Sequence, residues 1–102
     1  MVYLIISMDI LPEKNLEFEQ AVQWLVRLED EVKGKFRQLI SREIGYPEKA
    51  FYIGEWDSRK NLDAHIQTDR FRALLGGMKF LGKINEAKII TPSKVEELRL
   101  SA

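Results

Sequence analysis

The sequence contains no cysteine and a single histidine, His65, among its 102 residues. Without cysteine there is no disulfide, no thiolate nucleophile and no sulfur ligand for a metal. One histidine leaves carboxylates as almost the only remaining metal ligands, so the composition gives little support to a metal site. The lack of cysteine also fits a reducing compartment, and we expect the protein in the cytoplasm.

The sequence also lacks net charge, because its 16 basic residues are balanced by 16 acidic ones. A neutral molecule has no field that would recruit nucleic acid or an anionic membrane surface by charge alone. Residues 1–10 are apolar, but this stretch contains Asp9 and is too short to span a bilayer. We therefore predict neither a nucleic-acid partner nor a membrane partner, and expect any ligand to be held locally.

What the sequence does contain is enough apolar residues for one folded domain. Hydrophobic residues make up 45% of the chain and charged residues 31%, as is ordinary for globular proteins. A chain of this length buries only roughly two-thirds of its unfolded surface, so it has one thin core. We expect residues 1–102 to form a single domain.

Hydrophobic periodicity predicts four strands in this chain. The first alternates apolar side chains on one face, and a turn rich in glycine and proline, residues 45–49, separates the second from the third. The predicted strands are residues 2–10, 35–44, 50–56 and 84–91.

Helical spacing of apolar residues predicts a long amphipathic helix from residue 13 to Gly34, and further helices between the third and fourth strands. Ser58 or Asp57 is expected to cap the first of these and Thr68 to cap the next. Gly76-Gly77 is expected to fray or end that last helix, because glycine is a poor helix former.

The resulting order, βαββαβ, predicts an α+β fold of the ferredoxin-like type, with an antiparallel sheet and its helices on one side. Strands one and three carry apolar residues on both faces; Tyr3 and Ile5, for example, lie on the face opposite to Leu4. Helices on one side leave the second face uncovered. We therefore predict a homodimer in which two sheets stack face to face.

Three consecutive motifs resemble the antibiotic biosynthesis monooxygenase family of the dimeric α/β barrel superfamily. They are the third-strand ending YIGEW, then DSRKNLDAH, in which His65 follows Trp56 by nine residues, and then IQTDRF. The resemblance covers nearly the whole chain. It implies a ferredoxin-like subunit that forms a dimeric α/β barrel with a partner.

The resemblance also implies a small apolar cavity between sheet and helices, lined partly by Trp56 and His65. Several members of the family oxidise quinols or phenols with molecular oxygen and no cofactor, so a small aromatic substrate and no cofactor are implied here. His65 is the candidate base, because imidazole titrates near neutral pH. Trp56 could stack on the substrate ring, and Tyr52 on the same strand face could donate to an oxygen.

The sequence departs from two better-defined branches of the family. Cofactor-free polyketide oxygenases have a site asparagine four residues before the tryptophan and a tyrosine six residues after it, where this chain has Tyr52 and Leu62. In the haem-degrading branch the iron-ligating histidine falls on Leu75, and an asparagine of the first strand is replaced by Ser7. Haem degradation is therefore not expected.

Two other interpretations compete with an enzyme. An RNA-recognition domain has the same element order and stacks bases on strand aromatics, but KAFYIGEW does not match its third-strand motif. The second is a non-catalytic dimeric module that binds a small ligand or another protein, with His65 and Trp56 as packing residues. The first hypothesis remains a cofactor-independent monooxygenase or related oxidoreductase that uses His65, Trp56 and Tyr52.

Overall fold

The part of the chain that the structure describes, in this computed structural model, is residues 1–28 and 32–100, without the side chains of residues 25, 26 and 28. Its elements follow the predicted βαββαβ order, with the second helical region divided in two and a short 3-10 turn, Pro12–Lys14, before the first helix. The elements are β1 (Val2–Ile10), α1 (Asn15–Leu28), β2 (Lys35–Glu43), β3 (Tyr46–Trp56), α2 (Arg59–Ile66), α3 (Asp69–Leu81) and β4 (Gly82–Ile90).

The strands form an antiparallel sheet in the order β2-β3-β1-β4, with β3 and β1 at its centre. The register places Leu39, Ile53, Ile5 and Lys88 side by side across the sheet. This confirms the ferredoxin-like α+β prediction. No helix among the described residues is long and apolar enough to cross a membrane.

The core lies on one face of the sheet, as the alternation of β1 predicts. The buried side chains of β1 are no more than 4% exposed, whereas those between them are half-buried; the buried set is Val2, Leu4, Ile6, Met8 and Ile10. In β3 the same alternation buries Tyr52, Gly54 and Trp56. One hydrophobic cluster joins these strands to α1, α2 and α3.

Two predicted boundaries are wrong by more than two residues. β3 begins at Tyr46 rather than at residue 50, because a two-residue turn ending in Gly45, with φ at 84°, closes the hairpin. Pro47 is tolerated there because it has no paired residue in either neighbouring strand: the pairing with β1 ends at Lys49, and the pairing with β2 is irregular between Arg42 and Glu43.

The second error concerns α3, which continues through Gly76-Gly77 to Leu81 instead of ending at the glycines. Leu74, Met78 and Leu81 are buried on the core side of this helix. Their packing offsets a cost of roughly 1 kcal/mol for each helical glycine. The first helix is described as far as Leu28, and residues 29–31 lie outside the described residues. Gly34, the predicted stop of this helix, forms a turn with φ at 83° just before β2.

Candidate functional site

The core face of β3 holds two of the three predicted site residues, Tyr52 and Trp56, on either side of Gly54. Tyr52 is 3% exposed and Trp56 is 1% exposed. Directly across on the edge strand β2, Gln38 pairs with Gly54 and Lys35 pairs with Trp56. The strand pairing therefore adds two polar side chains to the residues that the sequence predicted.

These polar side chains are joined by hydrogen bonds. The Tyr52 hydroxyl donates to Gln38 Oε1 at 2.9 Å, and Lys35 Nζ donates to the same oxygen at 3.1 Å. Lys35 Nζ also lies 5.6 Å from the centre of the Trp56 ring, within reach of a cation–π interaction. Lys35 and Gln38 were not predicted as site residues. The signal that could have identified them is their pairing with Trp56 and Gly54 between β2 and β3.

The third predicted residue, His65, is brought to Trp56 by helix α2. Of the two predicted caps, Ser58 and Asp57, it is Ser58 that caps this helix. Its Oγ accepts from the backbone N–H of Asn61 at 3.2 Å. His65 is 4% exposed, and its ring centre lies 5.0 Å from that of Trp56 with a tilt of 33°. On another side the edge of Phe71 approaches at 5.8 Å.

Thr68 holds His65 at the junction of α2 and α3. Its hydroxyl donates to the backbone carbonyl of His65 at 2.7 Å and accepts from the N–H of Phe71 at 3.3 Å, as the predicted cap of α3. The same oxygen lies 3.5 Å from His65 Nδ1. Because the Thr68 proton goes to the carbonyl, Thr68 can only accept from Nδ1, and the roles of the two ring nitrogens depend on the tautomer of the imidazole.

A cavity of about 200 Å³ lies beside His65. Its lining combines apolar walls with an ammonium, an amide and a hydroxyl; the residues are Val32, Lys33, Asn61, Ala64, His65 and Thr68. Apolar cavities of about 150 Å³ bind benzene, so this volume suits one aromatic ring. Neither Trp56 nor Tyr52 lines this cavity. His65 connects the two, because it lines the cavity and its ring contacts the ring of Trp56.

A larger cavity of about 530 Å³ lies near the opposite end of β3. It holds none of the predicted site residues, and it is lined by Ile10, Leu11, Pro12, Asn15, Pro47 and Glu48. Among the described residues no three histidine or carboxylate side chains come together as a metal-binding group.

An ionised carboxylate orients the amide at the cavity. Asn61 Nδ2 donates to Asp57 Oδ1 at 2.9 Å, and this bond, helped by Ser58 and the charge of Lys33, holds the pKa of Asp57 below its usual range. The backbone N–H of Asp57 donates to the carbonyl of Gly34 at 2.8 Å. These bonds fix the cavity wall that Lys33 and Asn61 form.

The chain matches the antibiotic biosynthesis monooxygenase family over residues 1–76. That match includes β1, β2, β3, α2 and all three predicted site residues. No curated protein sequence matches the chain significantly.

Solved structures share the fold at low sequence identity. SnoaB, a cofactor-independent oxygenase from Streptomyces nogalater solved as a mutant, superposes with a TM-score of 0.79 at 15% identity over 92% of this chain and 94% of its own. An antibiotic biosynthesis monooxygenase gives 0.75 at 20% identity over 94% and 100%. A conserved protein from Methanosarcina mazei Go1 gives 0.73 at 22% identity over 87% of both chains. At these identities the likeness establishes the fold.

Proposed function

The chain belongs to the antibiotic biosynthesis monooxygenase family, and from that premise we propose that it is a cofactor-independent monooxygenase of a small, single-ring quinol or phenol. The observation that carries this proposal is the cavity of about 200 Å³ with the buried His65 in its wall. An aromatic ring fits that volume, whereas a tricyclic substrate does not. The imidazole supplies a proton acceptor at the place where the ring would bind.

The reaction begins with transfer of a hydroxyl proton from the substrate to His65. The resulting phenolate is electron-rich and reduces molecular oxygen itself, in a site from which the bound ring displaces water. One oxygen atom then enters the ring and the other leaves as water. A quinol supplies all four electrons as it becomes a hydroxyquinone, so substrate and oxygen balance the reaction without a further reductant.

The neighbouring residues position these groups. Thr68 holds the His65 ring, and Trp56 and Phe71 enclose it, which fixes the direction in which His65 accepts a proton. Asn61 and Lys33 lie on the same cavity wall and offer hydrogen-bond donors to the oxygen that becomes negative.

Oxygen consumption with a panel of single-ring quinols tests the proposal. We expect His65→Ala to lower the rate by about 10²–10⁴-fold, the usual contribution of a general base. An unchanged rate in this variant would remove His65 from the mechanism. A panel that gives no uptake above the uncatalysed rate with the wild-type protein would refute the proposal itself.

The two cavities can be distinguished by filling each one separately. Ala64→Leu adds bulk beside His65, whereas Leu11→Trp adds bulk to the larger cavity at the other end of β3. We expect Ala64→Leu to abolish turnover and Leu11→Trp to leave it intact. The opposite result would move the reaction to the larger cavity.

A second candidate is a non-catalytic dimeric module that binds a small ligand. It is favoured by one observation, that Trp56 is 1% exposed and packs against His65 as a core residue would. Binding of quinols without oxygen uptake would support this function over the first.

We also propose that two copies of the chain stack through the sheet face that points away from the helices. The centre of this face is apolar, with Leu39, Ile53 and Ile5 in one row across three strands and Phe51 beside them, and all four side chains are half-buried in the single chain. The ion pair Arg37–Glu55 at 3.2 Å lies in the next row along the strands, toward the start of β1. A second copy would cover this face and be covered by it.

Mass measurement in solution tests the dimer. We expect a dimer at micromolar concentration, and a folded monomer for Ile53→Asp, since a carboxylate would then be buried without a partner. Leu16→Asp, at a position 66% exposed on α1, is the matched control and should remain dimeric. A wild-type monomer would contradict the proposal.

A further inference from the structure

The larger cavity, of about 530 Å³, takes no part in the proposed reaction. It lies on the helix side of the sheet, between the β2–β3 hairpin and the start of α1, and one of its lining residues, Ile10, is 3% exposed on the buried face of β1. None of its lining residues also lines the His65 cavity. Binding sites for small molecules usually measure about 300–1,000 Å³, so this cavity has the volume of a second, separate ligand site.

The apolar wall of this cavity is held in place by the fold. Pro12 and Pro47 have fixed φ angles and no backbone N–H, so they present hydrocarbon without an unpaired donor. Leu11 is anchored by its backbone, because its N–H donates to the Leu81 carbonyl at 3.0 Å and its carbonyl accepts from the N–H of Lys14 at 2.8 Å. A preformed apolar wall favours an apolar ligand, since little of the protein has to be ordered when the ligand binds.

The amide in the lining, Asn15, is oriented by a neighbouring guanidinium. Arg42 Nη1 donates to Asn15 Oδ1 at 2.9 Å, and a guanidinium can only donate, so the atom that faces it must be the amide oxygen. Arg42 Nη2 forms an ion pair with Glu19 at 3.2 Å, and Arg42 does not itself line the cavity. The positive charge of Arg42 is therefore directed to Glu19, and Asn15 keeps its NH₂ group for a ligand.

A carboxylate, Glu48, is the one ionisable side chain among the described residues that line the cavity. The basic residues beside it in the sequence or across the cavity are engaged elsewhere. Lys49 Nζ lies 3.5 Å from Asp9 Oδ1, and Lys14 Nζ lies 4.2 Å from the centre of the Phe80 ring. Within the part of the chain that the structure describes, Glu48 has no ion-pair or hydrogen-bond partner. Its negative charge is therefore available to a ligand.

We propose that this cavity is a second ligand site, for an apolar amine whose body has the size of about two aromatic rings. An apolar cavity of about 150 Å³ holds one benzene, so a volume of about 530 Å³ accommodates a two-ring body with its side group. The hydrocarbon contacts Ile10, Leu11 and the two prolines, and the ammonium pairs with Glu48. A carboxylate on the same body would bring two negative charges together, which is unfavourable. The site is independent of the reaction proposed at His65.

The experiment compares three probes that share one ring system and differ in charge: 2-naphthylmethylamine, 2-naphthylmethanol and 2-naphthoate. Binding is followed by NMR through the backbone amide signals of Leu11, Asn15 and Glu48. We expect the amine to shift these signals and to bind about two- to fivefold more tightly than the alcohol, which is the contribution of one solvent-exposed ion pair. The carboxylate should bind more weakly than the alcohol. Added salt should reduce the difference between amine and alcohol, because exposed charges are screened.

Variants at exposed positions test the role of the carboxylate without disturbing the core. Glu48→Gln keeps the shape and removes the charge, so the amine and the alcohol should bind equally well. Glu48→Lys should reverse the order and make the carboxylate the tightest probe. Glu43→Gln, on the same hairpin but outside the cavity lining, is the matched control; it changes the net charge by the same amount and should keep the preference for the amine. Leu11→Trp fills the cavity and should abolish the shifts, whereas Ala64→Leu, in the His65 cavity, should leave them unchanged.

Several results would overturn the inference. Equal affinity of the wild-type protein for amine and alcohol would remove the charge selection. An equal loss of amine affinity in Glu43→Gln and Glu48→Gln would show that net charge, and not Glu48, attracts the amine. Full binding by Leu11→Trp would place the ligand outside the cavity. If the amine shifts the signals of His65 and Thr68 instead, the inference fails, while quinol oxidation is still decided by its own oxygen-uptake assay.

Discussion

Gly34 and Gly45 form a matched pair in which alanine should have very different effects. Their φ angles, 83° and 84°, are nearly the same. Either substitution places an L side chain in the left-handed region, at a cost of roughly 1–2 kcal/mol. Either also removes conformational freedom from the unfolded chain, by a similar amount at both sites. These two contributions cancel when the two variants are compared.

The packing around the two glycines differs, so its contribution to stability does not cancel. A Cβ at Gly45 would have no atom within 4 Å, whereas one at Gly34 would lie 2.6 Å from Asn61 Nδ2 and 2.7 Å from Asp57 Oδ1. The backbone cannot easily retreat, because the Gly34 carbonyl accepts from the Asp57 N–H at 2.8 Å. Overpacking of this kind costs roughly 1–3 kcal/mol, so Gly34→Ala should be less stable than Gly45→Ala by that amount.

Urea unfolding measures this difference, with equal slopes for the two variants showing that only stability has changed. In thermal unfolding each kcal/mol corresponds to roughly 4–8 °C in Tm for a domain of this size. Gly34→Ala should also reduce quinol oxidation, since Asn61 on the cavity wall must move. Equal destabilisation of the two variants would refute the proposed packing of residue 34 against α2.

Three further predictions concern contacts around the site and core. Thr68→Ala should lose roughly 2 kcal/mol in thermal unfolding, because it removes both a helix cap and a hydrogen bond, whereas Thr68→Ser should retain nearly all stability. Arg42→Met should lose roughly 1 kcal/mol in urea unfolding, since the guanidinium lies 4.5 Å from the centre of the Phe18 ring; no loss would contradict that stacking. The pKa of Asp57 is lower in the folded chain than in the unfolded chain, so the ionised carboxylate stabilises the fold. This stabilisation is fully present above the pKa of the unfolded state and disappears as pH falls through the pKa of the folded state. Asn61→Ala should raise that pKa in an NMR titration, and an unmoved pKa would contradict the assigned cause.

The sheet and its buried face could be predicted from the sequence because the signals were local. Alternation in β1 indicated the buried positions, and the caps Ser58 and Thr68 indicated the helix starts. The continuation of α3 through Gly76-Gly77 could not be predicted in this way, because it depends on packing against the sheet. The low helix propensity of glycine and the burial of its neighbours oppose each other there, and the burial outweighs the propensity.

The candidate site was predictable only where its residues were close in sequence. Trp56 and His65 belong to one strand-to-helix motif, and the structure brings their rings together. Lys35 and Gln38 come from a different strand, and their approach to Trp56 and Tyr52 depends on the β2–β3 register, which includes an irregularity between Lys35 and Arg37. A one-residue shift of register would have turned these side chains to the other face.

The period of two in β3 also separates the proposed reaction site from the surface proposed for dimer formation. Tyr52, Gly54 and Trp56 point to the core, while Phe51 and Ile53 point to the face on which a second copy would stack. Adjacent residues of one strand thus serve different surfaces. A substitution such as Ile53→Asp should therefore dissociate the dimer without touching Trp56, which packs against His65 on the core face. If the monomeric variant nevertheless lost quinol oxidation, the second copy would have to act on the His65 cavity from a distance, because no residue of the outer face of β3 lines that cavity.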